Sequence, residues 1–408
     1  MSRESAVHHR WIGWAVLPAV PLALVTGCGP FEKTRVAEVE RPAEGVARVV
    51  VDVPEDGPVQ PGRPVTVAAR DGRLYAVSLA APDGTLVPGG NAPDGASWTN
   101  SAPLAYNTEY TLTASAVDVY GHTATATETF TTISPDGELR VDHVLPEAGS
   151  TVGIGMPVTV AFDRPIKDPT VRAAVEKRLS IASSTPVEGA WGWVDDETVR
   201  FRPKDYWPAG TRVSVRPSLL GVDFGEGVYG ADAAPVAFQV GDAVVATVDS
   251  GAHRMTLTRD GRPVKTVPVT TGKPGFTTRA GTKVVLGKEQ HVLMDGTTVG
   301  IAAGSSEGYR LDVYWATRVT WSGEFVHAAP WSVRSQGKAN VSHGCVGLST
   351  ENARWFYDQV KLGDVVTVVN TGNPKSMEPT GNGYGEWNLT WDDWLAHGSS
   401  GAVTTDAL

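Results

Sequence analysis

The sequence predicts a mainly β chain of three successive units, with the chemistry in the last. Three observations predict it. Short segments of alternating apolar residues recur from about residue 46 to residue 372, each closed by Gly, Pro, Asp or Asn. Helical spacing shows in only two stretches, Pro169 to Leu179 and Thr350 to Val360. The one cysteine beyond residue 28 stands in a polar, glycine-bearing stretch, Ser342-His343-Gly344-Cys345. The 408 residues suffice for two to four domains, and 41% hydrophobic with 20% charged residues describes a folded chain. A net charge of −10 gives no support for nucleic-acid binding. The acidic excess lies before residue 243, whereas residues 244–372 hold 14 Lys and Arg against 10 Asp and Glu, a weak bias toward an anionic substrate.

Residues 1–27 read as a targeting segment. Arg3 and Arg10 precede an apolar run from Trp11 to Val25 that is too short for a confident membrane span. It ends Leu24-Val25-Thr26-Gly27-Cys28, which resembles the bacterial lipobox. That resemblance implies cleavage before Cys28, acylation of Cys28, and anchorage in the outer leaflet of the cell membrane. Cys28 is then unavailable to pair with Cys345, so no disulfide is expected. Residues 28–45 are polar and read as a tether.

Residues 46–138 are the first unit. Val46 to Val53 alternates and breaks at Pro54. Leu74 to Leu79, Tyr110 to Val117 and Thr123 to Thr127 are further strands between turns. This spacing suggests an immunoglobulin-like β-sandwich. Residues 139–242 repeat the pattern, with Pro157 to Phe162 echoing Pro64 to Val67, and strands at Trp191-Gly192-Trp193, Thr198 to Phe201 and Arg212 to Val215. Trp191, Trp193 and Trp207 read as core. Neither unit carries Cys, His, Asp and Glu at metal-ligand spacing, and both are expected to act as spacers.

Residues 243–372 form the third unit. Val244 to Asp249 starts a sheet. Arg259-Asp260-Gly261-Arg262 marks a hairpin by its Asp-Gly. His291 to Arg310 reads as a hairpin over the site, and its glycines and serines predict a mobile lid. Leu311 to Arg318 and Phe325-Val326-His327 read as strands. Residues 350–360 read as a helix with Ala353, Phe356, Tyr357 and Val360 on one face, and Val365 to Val369 closes the sheet. Residues 373–408 hold Trp387, Trp391 and Trp394, whose expected use is to dock this extension onto the catalytic unit.

Cys345 has the setting of a nucleophile. His343 lies two residues before it and His327 eighteen before it. Gly344 removes a side chain where substrate must approach. Taken alone, a cysteine is more often a small buried hydrophobe. The pattern His327, fourteen residues, then Ser342-His343-Gly344-Cys345-Val346 resembles the signature of the L,D-transpeptidases, enzymes with a YkuD-like catalytic domain. At the next position the family carries Asn or Arg and this chain carries Gly347, so a side chain expected to brace the loop is missing. The Trp-bearing extension, the sandwich pair and the lipobox resemble the mycobacterial type of these enzymes.

The resemblance implies a function: cross-linking of peptidoglycan, of the 3-3 type. Cys345 would attack the carbonyl between the third and fourth residues of a stem tetrapeptide, release D-alanine, and pass the acyl group to an amine of a diamino acid on a second stem. His327 would be the base, oriented by the Ala328 carbonyl. His343 would stabilise a thiolate and lower the thiol pKa, or position substrate. The N–H groups of Gly344 and Cys345, with the Tyr309 hydroxyl, would hold the oxyanion. Met294, Trp321, Ser322, Gly323 and Trp331 would line the cleft. Carbapenems would acylate Cys345, and neither metal nor cofactor is expected. Three other readings share this sequence: an L,D-carboxypeptidase or endopeptidase on the same scaffold, a weakened peptidoglycan-binding module, and a purely structural lipoprotein in which Cys345 is incidental.

Overall fold

The computed structural model describes residues 47–54, 57–372 and 376–408. The expected targeting segment, Cys28 and the whole of the tether lie outside these residues.

The first unit is a two-sheet sandwich. One sheet runs Arg48–Asp52, Thr66–Arg70, Ser97–Asn100, Gly89–Asn91, and the other Arg73–Ala80, Glu109–Val117, Thr123–Thr131. Val49, Val51, Val67, Leu79, Leu112 and Ala114 alternate inward to form its core around Trp98. The strand Gly89–Asn91 carries no apolar side chain, so no alternation announces it.

The second unit packs two five-stranded sheets. Val158–Phe162 is buried at every position, and Trp191, Trp193 and Trp207 lie in the core beside it. Pro169–Glu176 is a short helix whose first turn is capped by the Asp168 carboxylate, with proline at the first helical position.

The extension packs on the catalytic unit, but the expectation that its tryptophans dock it there is not met. It touches that unit, through Asn388 to Thr282 and Arg279 to Glu378. Its tryptophans, however, turn to the second sandwich. Trp394 is fully buried against Gly192 and donates to the Ala190 carbonyl. Trp387 donates to the Gly155 carbonyl, and Arg202 stacks over Trp387 and Trp391. Val403–Thr404 then joins one sheet of that sandwich and Asp406–Ala407 joins the other. The reason is the sandwich itself, whose edge strands Glu188–Trp193 and Leu179–Ser183 would otherwise expose unpaired backbone. The buried Glu386 carboxylate meets Arg200, and Glu176 accepts the Ser399 and Ser400 N–H groups.

The third unit has two sheets. The first runs Arg262–Pro268, Arg254–Arg259, Val244–Asp249, Val365–Val369, Gly281–Val284. Asp260 and Gly261 both take positive φ at its hairpin, the geometry an Asp-Gly turn favours. The second runs Gly287–Asp295, Arg310–Arg318, Phe325–Ala328, Val346–Leu348. The helix Thr350–Gln359 packs Ala353 and Phe356 into the core between them, its start capped by Ser349. The lid is the tip of the long hairpin Gly287–Asp295 with Arg310–Arg318.

Candidate active site

Parallel pairing of Phe325–Ala328 with Val346–Leu348 sets His327 opposite Gly347. Side chains two residues apart share a face, so Cys345 precedes Gly347 on the side where His327 stands. Both side chains line one cavity of about 270 Å³. His327 is buried, and its Nδ1 lies 2.8 Å from the Ala328 carbonyl oxygen. A carbonyl only accepts, so Nδ1 carries the proton and Nε2 is left as a base. Burial lowers His327 to about 4, with the Ala328 carbonyl opposing. Burial pushes the Cys345 thiol up to about 12, with the Phe325 N–H opposing. The sulfur lies 3.4 Å from that N–H and 3.5 Å from the Gly323 carbonyl oxygen. The resting pair is therefore a neutral thiol beside a neutral imidazole.

This corrects the expected thiol-lowering role of His343. Its Nε2 turns to the lid and lies 2.7 Å from Glu307 Oε2. Phe276 and Tyr309 hold its ring, with centroids at 4.6 and 5.0 Å. The expected oxyanion donor at Gly344 is also engaged elsewhere. Gly344 has φ +129°, and its N–H folds back to donate to Ser342 Oγ at 3.1 Å. The Ser342 hydroxyl in turn donates to the Cys345 carbonyl at 2.6 Å. Ser342 is thus the brace of the loop, and Thr278 Oγ1 adds a bond to the Gly344 carbonyl. Gly347 needs no bracing side chain either. It exchanges two backbone hydrogen bonds with Thr270, and a Cβ there would meet Thr270 Cγ2 at 2.9 Å and Ala329 Cβ at 3.0 Å.

Met294, Tyr309 and Trp331 line the cavity that holds His327. Ser322, Gly323 and Tyr309 line a second cavity of about 610 Å³, which also opens on Cys345 but does not include His327. Trp321 lines neither of these and is 54% exposed, because the Thr320–Gly323 turn directs it outward. Sequence reasoning missed a buried charged group beneath the sulfur. The Glu324 carboxylate takes Lys283 Nζ, the Arg279 N–H and Arg279 Nη1. Lys283 and Glu324 are 1% and 5% exposed, and Glu324 sits between the two residues that contact the sulfur. The signal was a lysine in the strand Gly281–Val284, directly before the apolar Val284, Val285 and Leu286. Among the described residues no group of three or more His, Cys, Asp and Glu is placed to hold a metal ion.

Residues 56–223 match a bacterial immunoglobulin-like domain family, and residues 243–368 match the YkuD family of L,D-transpeptidase catalytic domains. The chain is 40% identical to L,D-transpeptidase 2 of Mycobacterium tuberculosis, over 96% of both chains. It is 35% identical to L,D-transpeptidase 5 of the same organism, over 87% of this chain and 75% of that one. The solved structure of LdtMt1 in complex with imipenem shares 42% identity and superposes with a TM-score of 0.50, covering 56% of this chain and 98% of the other. With a histidine on one of two paired strands and a cysteine directly before the other, in a matching catalytic domain, and 40% identity to such a relative over nearly the full length, the chain belongs to the L,D-transpeptidase family.

Proposed function

We propose that the protein forms 3-3 peptidoglycan cross-links through a thioester on Cys345. The observation that carries this reading is the placement of Cys345 at the junction of two cavities, only one of which contains His327. A hydrolase needs one substrate channel and water. A transferase needs an acyl donor and an acceptor amine to reach one sulfur from two sides.

The neutral resting pair sets the order of events. As the Cys345 sulfur attacks the carbonyl of the stem's third residue, its proton passes to His327 Nε2. The Cys345 N–H and the Tyr309 hydroxyl are the donors for the developing oxyanion. The C–N bond breaks, His327 returns the proton to the leaving amine of D-alanine, and a thioester remains. An acceptor amine then attacks the thioester, His327 takes its proton, and the sulfur leaves and is reprotonated. Ala328 fixes the tautomer throughout. A β-lactam carbonyl presents the same electrophile, so a carbapenem acylates Cys345 with ring opening, in keeping with the imipenem complex of LdtMt1.

Acylation of Cys28 would hold the protein to the outer leaflet, with the sandwiches as spacers that carry the catalytic unit into the wall. Intact-mass analysis with a carbapenem and with a stem tetrapeptide, beside Cys345→Ala, tests the chemistry. One adduct absent from the variant, and a cross-linked dimer when an amine-bearing stem is added, support the transferase. A tripeptide product alone would establish the carboxypeptidase, and no adduct would leave the binding module.

A further inference from the structure

The hairpin tip sets a carboxylate of its own against His343, a residue of the site. Glu307 Oε2 accepts from His343 Nε2 at 2.7 Å and from Lys273 Nζ at 2.5 Å. The two donors belong to rigid backbone. Lys273 N–H donates to the Ser342 carbonyl, Gly272 bridges to Ser342, and the His343 ring is packed between Phe276 and Tyr309. The acceptor belongs to a loop tip, between Ser305-Ser306 and Gly308, with 37% of its side chain exposed. Those hydrogen bonds from Lys273 and His343 hold the Glu307 carboxylate below its usual range. Thus a carboxylate fits this pair of donors, and the one now there sits on the exposed hairpin tip.

We propose that Lys273 and His343 are a receptor for the terminal carboxylate of the donor peptide, which displaces Glu307 and thereby releases the lid. The proposal takes its ligand from the peptide-donor reading above. Its geometry selects which carboxylate. His343 and Cys345 line the same cavity, two residues apart. The carboxylate of the leaving residue stands about 4 Å from the scissile carbonyl, the span of N, Cα and C. Other carboxylates of a stem lie farther along the chain. Glu307 then acts as an internal competitor. A ligand without a terminal carboxylate leaves it in place.

The test compares two donors that differ in one group, a stem tetrapeptide ending in D-alanine and the same peptide ending in D-alaninamide. Both yield the same thioester, so the rate of the same mass adduct is read for each. Lys273→Met is expected to lower the carboxylate-to-carboxamide rate ratio about fivefold, the size of a partly exposed charge-assisted hydrogen bond. Glu307→Gln is expected to raise that ratio about threefold, by removing the competitor. A latch with only a structural role changes both donors alike, and a ratio equal in all three proteins overturns the proposal. Absence of the adduct with either donor in the wild type would count against the proposed function, and hydrogen exchange of lid residues 296–309 then decides. Unreactive N-acetyl-D-alanine is expected to speed exchange there about threefold in the wild type and not in Glu307→Gln, with N-acetyl-D-alaninamide inert. Exchange indifferent to the carboxylate would equally overturn the proposal.

Discussion

At the scale of the residue, the nucleophile rests uncharged, and what surrounds it decides how far. Burial raises the Cys345 thiol, and among the smaller influences Glu324 raises it while Lys283 lowers it. Removing either member of that pair should therefore move the thiol in opposite directions. Glu324→Gln is expected to shift the pH profile of Cys345 alkylation by iodoacetamide to lower pH, and Lys283→Met to higher pH. The wild-type rate should still be climbing at pH 9; a plateau near pH 7 would show a preformed thiolate instead. Each single variant leaves a charge in a dry site and should cost about 3–5 kcal/mol, whereas the double variant recovers most of the loss. His327 makes a second pH prediction. Its folded pKa lies near 4 against 6.5 for the free side chain. Between these values the unfolded chain binds the extra proton, so stability falls as pH falls from 6.5 toward 4. The full shift is worth roughly 3 kcal/mol. Urea unfolding should show His327→Gln spared that part of the acid loss. The sequence made Cys345 and His327 legible because their spacing is one-dimensional. Glu324, Lys283 and Glu307 were illegible because their partners lie tens of residues away, and no local pattern records such a pairing.

Elements show how the chain answers its own departures. Gly347 reads from sequence as a missing brace. In the structure the strand around it is held by Thr270 on one side and Phe325–Ala328 on the other, with no room for a side chain. Restoring the family's residue with Gly347→Asn should therefore harm this protein. Overpacking predicts a loss of about 1–3 kcal/mol, visible as a lower melting temperature together with slower carbapenem acylation. A stable and faster variant would show that the crowding is relieved at no cost. Strands with apolar alternation, such as Val244–Asp249 and Glu109–Val117, were legible at once. Gly89–Asn91 and Ser97–Asn100 were not, since they are strands by virtue of their neighbours. The tryptophans of the extension announced a docked element, but which surface received it depended on open sheet edges that composition does not reveal.

In the whole molecule, the three units are joined unequally. The core of the second sandwich runs into the catalytic unit through Val284 and Val365, and Gly153 and Gly155 donate to Leu362 and Gly363. The first sandwich has a separate core and meets the second at a smaller joint, where the Tyr106 hydroxyl donates to the Gly230 carbonyl and accepts from Gly221 N–H. Calorimetry should show two transitions, one for the first sandwich and one shared by the other two units. Trp394→Ala should lower the shared transition alone, by about 3–5 kcal/mol for a large buried side chain. A shift of both transitions would show that the first joint is as tight as the second. A continuous second core also fixes the aim of the catalytic unit, which cannot swivel freely on the second sandwich.

The closing of the second sandwich by residues 403–407 has a bearing on how the protein is made. Its edge strand Glu188–Trp193 leaves the ribosome more than two hundred residues before its partner Val403–Thr404. At about 5–20 residues per second that is a wait of roughly ten to forty seconds. The first sandwich can fold as it emerges, but the second must stay incomplete until the catalytic unit has been synthesised. Such a delay leaves the middle of the chain open until its synthesis is nearly complete.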